Sequence, residues 1–372
     1  MGGMHLPPMQ YDCISCGKSC AEFQVEIAGF DLNRLRQSST TKALEKSGFT
    51  PLKFVGSDVF LEKTENGSCC FLNDKARCRL HEEGGFASKP TPCQTFPFST
   101  MATPDGVYIG LSYACTAVVQ SKGRELVGRE SELQYLITSP DCDDVALDSQ
   151  WALWDTQAVD WGNYLQIEEF CRRGVQSDPR YGLLEVVWRL AKAVTYGDLG
   201  YLNRPLNGDE IDLETTQILV RKLIPVMESE DRTASQSIVG ALNENRGFDS
   251  AALGHFVELV SPPKEYPDWL KIELTRYLEH VLFRKSLLKA PNVLSRVCLL
   301  VAAEELIATY AYSRAAYRQC EIELEDYHKA VGLVESRLML HSNGFEHAYG
   351  QWAEYFVELL TEESQSSEAV AT

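Results

Sequence analysis

The sequence contains no run of 18 consecutive apolar residues, so no membrane-spanning helix is expected. Met1 to Gln10 has neither a basic stretch nor an apolar one, so a secretory signal is not expected. Gly2 is followed by Leu6 where N-myristoylation needs Ser or Thr, and a cytoplasmic location is the expectation. There is no G-x-G-x-x-G after a strand, no P-loop, no H-E-x-x-H and no G-x-S-x-G. Dinucleotide enzymes, nucleotide hydrolases, zinc proteases and serine esterases therefore find no support. No period of 20–50 residues repeats, which excludes a solenoid. Histidine is scarce, with 7 in the chain, and only His5 and His81 fall in the first 120 residues. A site of two cysteines and two histidines is disfavoured there.

What is present is an ordinary globular composition: 372 residues, 44% hydrophobic, 24% charged and 10% aromatic, enough for two or three domains. The net charge is −18, of which residues 1–120 carry −1 and residues 121–372 carry −17. An acidic surface of that kind repels phosphate backbones, so no nucleic-acid partner is expected, while a basic partner would be attracted.

Cysteine is the informative residue. Of 12, eight lie in the first 115 positions, namely Cys13, Cys16, Cys20, Cys69, Cys70, Cys78, Cys93 and Cys115. Cys142, Cys171, Cys298 and Cys320 are scattered singly. Clustering without a secretion signal points to metal or redox chemistry rather than a disulfide scaffold. Cys13-Ile14-Ser15-Cys16-Gly17-Lys18-Ser19-Cys20 is a C-x2-C-x3-C cluster, in which two thiolates can grip one metal across a tight turn. Gly17 lets the backbone approach the sulfurs, and Lys18 is expected to offset thiolate charge. Cys69 and Cys70 are adjacent and point in different directions on an extended chain, so both are not expected to serve one site equally. Zinc and an iron–sulfur cluster both suit all-thiolate ligation, and spacing does not separate them.

The pattern along the chain is α+β: a small loop- and β-rich cysteine-cluster domain over 1–120, a linker over 121–149 and a mainly α-helical domain over 150–362. The tail, 363–372, is polar and expected to be disordered. Phe23, Val25 and Ile27 alternate as a strand, Asp31 is placed to cap a helix to about Ser38, and Pro51–Lys63 reads as two strands around Gly56-Ser57-Asp58. Val107–Cys115 reads as one more strand. Helical spacing is expected over Gln150–Val175, Tyr181–Tyr196, Asp212–Met227, Ala234–Asn245, Ala251–Leu259, Tyr266–Leu288, Val293–Tyr317, Ile322–Leu340 and Phe345–Leu360.

The order CxxCGKxC, CCFL, CRLH and KPxxCQTFPF resembles the YkgJ-like cysteine-cluster family, described as zinc- or iron-chelating. Extended to SYACTAV and a long helical C-terminal part, it looks most like the flagellin lysine-N-methylase (FliB-like) branch, with TRYLEHVLFRKSLL as the best local match. The resemblance covers about residues 11–120, and Ser19-Cys20 stands where the family often doubles its cysteine. It implies ligand roles for Cys13, Cys16, Cys20, Cys70, Cys78, Cys93 and Cys115. It also implies a protein lysine N-methyltransferase that uses S-adenosylmethionine and an iron–sulfur cluster (4Fe–4S), acting on a lysine-bearing protein such as flagellin. The amino-carboxylate of the methyl donor could then chelate an open iron of a cluster held by three cysteines. The alternatives are a non-enzymatic zinc- or iron-chelating protein with a helical partner-binding domain, and an electron-transfer or cluster-carrier protein.

Other candidates read more simply. His341 with Glu346 and His347 could bind metal, but Gly344 between them reads as a helix cap. Trp151, Trp154, Trp161 and Tyr164 could cage a lysine, yet core packing along one helix face is the simpler reading. Tyr310, Tyr312 and Tyr317 read as a packed helix. Arg284, Lys285 and Lys289 form a basic patch at a helix end before Pro291. Glu82, Glu83 and Asp105 lie near the motifs, and nothing in the sequence singles one out as a general base.

Overall fold

Gly56 and Ser57 fold the chain back on itself in the computed structural model, so that Leu52–Val55 and Asp58–Leu61 pair antiparallel as expected. The structure describes residues 3–138, 150–203, 220–229, 231–341 and 350–358, the backbone of 143–144, and residues 213 and 217. The chain divides into two units, Met1–Asp144 and Val145–Thr372. The first carries strands and short helices and the second is mainly helical, so the α+β class holds. None of the described helices is long and apolar enough to cross a membrane.

In the first unit, Phe98–Thr103 and Gly106–Leu111 pair antiparallel. Gly3–His5 joins the latter and Asp143–Asp144 the former, both parallel. The strand expected over Val107–Cys115 ends at Leu111, because Ser112 to Cys115 turn into the short helix Thr116–Val119. Phe23–Ile27 is not a strand of its own. It lies along Asp58–Leu61 through one bridge, Glu26 to Phe60, and two flanking hydrogen bonds. Ile27, Leu35, Leu52, Val59, Leu61, Phe71 and Leu80 form the buried cluster beneath the hairpin, with Cys70 among them. Part of the segment expected as a linker is folded: Glu130–Ile137 is a helix that buries Leu133 and Leu136.

Asp31 does not cap its helix. The helix is Gly29–Gln37 with Ala28 at the N-cap, and Asp31 sits in the first turn, fully buried, where it accepts the Thr91 N–H. The next helix, Ser39–Lys46, is capped by Ser38 and also by a distant carboxylate. Glu83 accepts from the Ser39 and Thr40 N–H groups and from the hydroxyls of Ser38, Ser39 and Thr40. These bonds, the Ser39 hydroxyl's first, hold Glu83 down at about 2 from its ordinary 4.5. The contribution is therefore present above about 4.5 and lost as the pH falls toward 2, reduced by solvent screening because Glu83 is exposed. Thermal unfolding followed by circular dichroism should show the wild type losing more stability over that window than Glu83→Gln.

In the second unit two expected helices are hairpins. Trp151–Trp154 pairs with Gln157–Val159 across a turn in which Asp155 is left-handed, φ 46°, and the helix starts only at Trp161, capped by Asp160. Phe248–Ser250 pairs with His255–Val257 where a helix over Ala251–Leu259 was expected, the turn being closed by Gly254 at φ 75°. Tyr181–Tyr196, Arg232–Asn243, Asp268–Phe283, Val293–Tyr317 and Leu324–Val334 are helical, and the last continues as a π-helix, Glu335–Met339. Ile224–Glu228 and residues 350–358 are among the described helical parts of two further expected helices. Val293–Tyr317 is buried nearly all round, as an apolar helix at the centre of a bundle must be. Residues 139–142 and 145–149 of the expected linker, Cys142 among them, residues 342–349 with Glu346 and His347, and the tail lie outside the described residues.

Candidate metal centre

Three short backbone devices bring the cysteines of the first unit together. Gly17 is left-handed, φ 69°, and starts the helix Lys18–Glu22, so that Cys16 and Cys20 fall on either side of a turn. Its Cβ would stand 3.0 Å from that of Ala76, which makes the position tight as well as strained for any side chain. Lys63 bridges Cys69 and Leu72 bridges Cys78, with Asn73 accepting from the Lys75 and Arg77 N–H groups inside the second turn. Cys93 rides on the short helix Thr91–Thr95, and Cys115 precedes Thr116–Val119.

The result is a cavity of about 710 Å³ lined by Cys13, Cys16, Cys20, Cys69, Cys78, Cys93 and Cys115. Aromatic and apolar groups, among them Tyr11, Phe23, Phe96, Phe98 and Tyr135, fill the wall between them. Six of the seven expected ligands are therefore placed together. Cys70 is not: its thiol is 3.8 Å from the Pro51 carbonyl, inside the hydrophobic cluster, and Cys69 faces the cavity instead. Alternation along the chain forces this choice, since one of two adjacent side chains must enter the core. Cys171 and Cys298 are buried in the second unit, and Cys320 is exposed there.

Burial pushes Cys20 up to about 11, with the Cys69 and Cys78 thiols adding to it, and burial likewise raises Cys78, Cys93 and Cys115. Cys69 goes the other way, to about 7, because the Cys70 thiol donates to it and is itself pushed up. The cation that opposes the upward push on Cys20, Cys78 and Cys93 is Lys89. Lys18, expected in that role, pairs with Glu22 at 3.8 Å. Tyr11 is held protonated by burial and by Cys115 and Cys13.

Asp31 and Arg34 position this cation and Cys93. Arg34 pairs with Asp31 and donates to the Lys89 carbonyl at 2.5 Å, while Asp31 accepts the Thr91 N–H at 2.7 Å. A charged, fully buried acceptor of this kind is worth about 1.5–3 kcal/mol per hydrogen bond. Asp31→Ala is accordingly expected to lower the stability of the first unit by that order, and to weaken metal uptake through the displaced Thr91–Cys93 turn. Chemical denaturation and zinc titration of the same preparation check both effects.

The carboxylates near the motifs are committed to structure. Glu83 caps a helix, Glu82 accepts from Asn73, and Asp105 accepts from Thr103 and Tyr108. In the second unit the aromatic set spans a strand and a helix, not one helix face: Trp151 contacts Trp161 and Tyr164, whose rings stack at 5.2 Å. A lysine does lie against it, and it is the chain's own. Lys285, nearly fully buried, places Nζ 5.9 Å from the Trp161 ring and 2.5 Å from Glu168. Arg284 pairs with the buried Glu335, so Arg284 and Lys285 of the basic patch are used internally. Tyr310 is packed and donates to Glu228.

As the side chains stand, no three His, Cys, Asp or Glu among the described residues are close enough to share one ion. The donor chemistry nevertheless fits a thiophilic metal: seven thiols face one cavity, and four of them keep their protons until a cation arrives to compensate the charge.

Residues 12–122 match the family model CxxCxxCC, described as a putative zinc- or iron-chelating domain. An uncharacterized protein of Methanocaldococcus jannaschii is 30% identical over 127 residues, 33% of this chain and 42% of that protein. The chain thus spans less than half the length of the curated relative it matches. No solved structure matches. Residues 12–122 of the first unit are thus similar to a cysteine-cluster domain described as zinc- or iron-chelating.

Proposed function

We propose that the cysteine-lined cavity holds a thiolate-bound metal, and that the protein uses it to methylate lysines of a partner protein. The methyl donor would be S-adenosylmethionine and the metal an iron–sulfur cluster, as the resemblance to the flagellin lysine-N-methylase branch implies. One observation carries the metal reading: seven thiols line a single cavity of about 710 Å³. That volume lies within the range of small-molecule sites, about 300–1,000 Å³, and far exceeds the roughly 30 Å³ share of one water. It leaves room for a donor molecule beside the metal.

A bound cluster would supply redox and Lewis-acid chemistry, and zinc would supply Lewis-acid chemistry alone. The chain's own groups have separate tasks. Lys89 offsets negative charge on the thiolates, and Phe23, Phe96 and Phe98 keep water off the inner wall. Tyr11 retains its hydroxyl proton beside Cys13 and Cys115. The acidic charge of residues 121–372 favours a basic, lysine-bearing protein as the partner.

The competing reading is a non-enzymatic chelating module with a partner-binding helical unit. It draws support from Glu82, Glu83 and Asp105, which are engaged in structural hydrogen bonds outside the cavity, and from Asp12 and Glu132 on the cavity wall, which pair with Arg124 and Arg129; Glu26 also lines the wall. Protein loaded anaerobically with iron and sulfide separates the two. A spectral change on adding S-adenosylmethionine, with labelled methyl transferred to a lysine-rich protein, supports methyl transfer. A stable cluster or zinc site that responds to neither leaves the chelating module.

A further inference from the structure

We propose that the seven thiols form two metal subsites in the one cavity: a closed set of Cys20, Cys69, Cys78 and Cys93, and an open set of Cys13, Cys16 and Cys115. The inference rests on the metal reading above and deepens it, because it assigns which thiols act together and where an exchangeable ligand enters.

The backbone makes the division. Cys69, Cys78 and Cys93 all pack against the same hydrophobic cluster. Cys20 is tied to them directly, its carbonyl accepting the Cys69 N–H at 3.2 Å. Cys13 and Cys16 belong to a different connection. The Asp12 N–H donates to Lys122, the Lys122 N–H donates to Ala117, and the Tyr11 N–H donates to Arg124. This ladder holds Tyr11 and Asp12, immediately before Cys13, against the chain that follows Cys115. Gly123 permits the approach, since a Cβ there would stand 2.1 Å from the Asp12 nitrogen.

The two sets differ in chemistry. Four thiolates complete the tetrahedral shell of a structural metal, and the ammonium of Lys89 offsets part of the excess negative charge. Three thiolates leave one position of a zinc or iron unfilled, as catalytic sites do, and that position takes a water, a thiolate, an imidazole or another exchangeable small donor. Cys13 and Cys16 are exposed, as Cys20 of the closed set also is, so solvent reaches the open position at the Cys13–Cys16 end of the cavity.

Cobalt(II) serves as the probe, titrated anaerobically into the reduced full-length chain and followed by its thiolate charge-transfer and d–d bands. The partition requires two cobalt ions per chain, with added imidazole shifting the bands of one ion and leaving the other unchanged. Cys78→Ser combined with Cys93→Ser should remove the imidazole-insensitive ion and keep the other, and Cys115→Ser should do the reverse. A single ion per chain, or two that respond alike, overturns the partition while the metal reading stands, and this result needs no variant to fold. Absence of any thiolate–cobalt band overturns the metal reading itself.

Discussion

Arg180→Met is expected to destabilise the helical unit by about 3–5 kcal/mol, the cost of leaving a buried charge without its partner. Arg180 and Glu305 are each about 2% exposed at the side chain and make a bidentate pair, closest at 2.7 Å. Arg180 also donates to the Pro263 carbonyl and lies 5.0 Å from the Tyr266 ring centroid. Glu304 is the next residue on the same buried helix. Burial pushes the Glu304 carboxyl far up and Glu305 adds to this; burial also raises Glu305, and the paired Arg180 guanidinium opposes that rise. Without Arg180, Glu305 must take up a proton or draw water into the bundle. The loss should therefore shrink as the pH falls, because protonated Glu305 no longer needs a cation. Arg180→Met with Glu305→Met should recover most of the stability, since well-packed apolar replacements of a buried ion pair are often neutral. Tryptophan fluorescence reads this unit alone, because all six tryptophans lie beyond residue 150. A loss below about 1 kcal/mol would mean that the pair is solvated in a way its burial does not suggest.

The second large effect is on metal affinity. Cys20, pushed up to about 11, and Cys78, Cys93 and Cys115, also raised, carry their protons at neutral pH. A metal binds the thiolate, so each of these thiols must release its proton on binding. Affinity should then rise about tenfold per pH unit for every such thiol, or about a thousandfold per unit where three titrate together. Cys69, near 7, adds to the slope only below that pH. Zinc competition against a chromophoric chelator at pH 6, 7 and 8, with proton release measured in weak buffer, gives the slope and the count. An affinity that does not change across that range would contradict thiol ligation.

How much of this was legible in the sequence depended on the range of the interaction. The Gly56–Ser57 hairpin and the Val293–Tyr317 helix were legible because turn residues and apolar periodicity are local. Spacing pointed to metal chemistry in the first 115 residues, and of the seven cysteines that the resemblance named, six line the one cavity. The choice between Cys69 and Cys70 was not legible, since it depends on which face of a bridged segment meets the core that Leu35 and Leu80 build from elsewhere. The exchange of Lys18 for Lys89 has the same origin, a loop held in place by Asp31 and Arg34 about 55–60 residues away in sequence. The Trp151–Val159 hairpin was misread because its tryptophans fall at helical intervals, and only the left-handed Asp155 breaks the pattern. Asp31 looked like a cap because its position next to a helix start is what a cap also requires. Its buried partner, the Thr91 N–H, is 60 residues away.

The most direct test of the metal reading is anaerobic purification of the full chain followed by metal and sulfide analysis, an absorption spectrum and a count of reactive thiols. The account expects metal bound in a fixed ratio to protein with the cavity thiols protected. That means either iron and sulfide in equal amounts with broad visible absorption, or zinc in colourless protein. Protein that holds neither zinc nor iron after reconstitution, with Cys13, Cys16, Cys20, Cys69 and Cys78 all freely reactive, would contradict it.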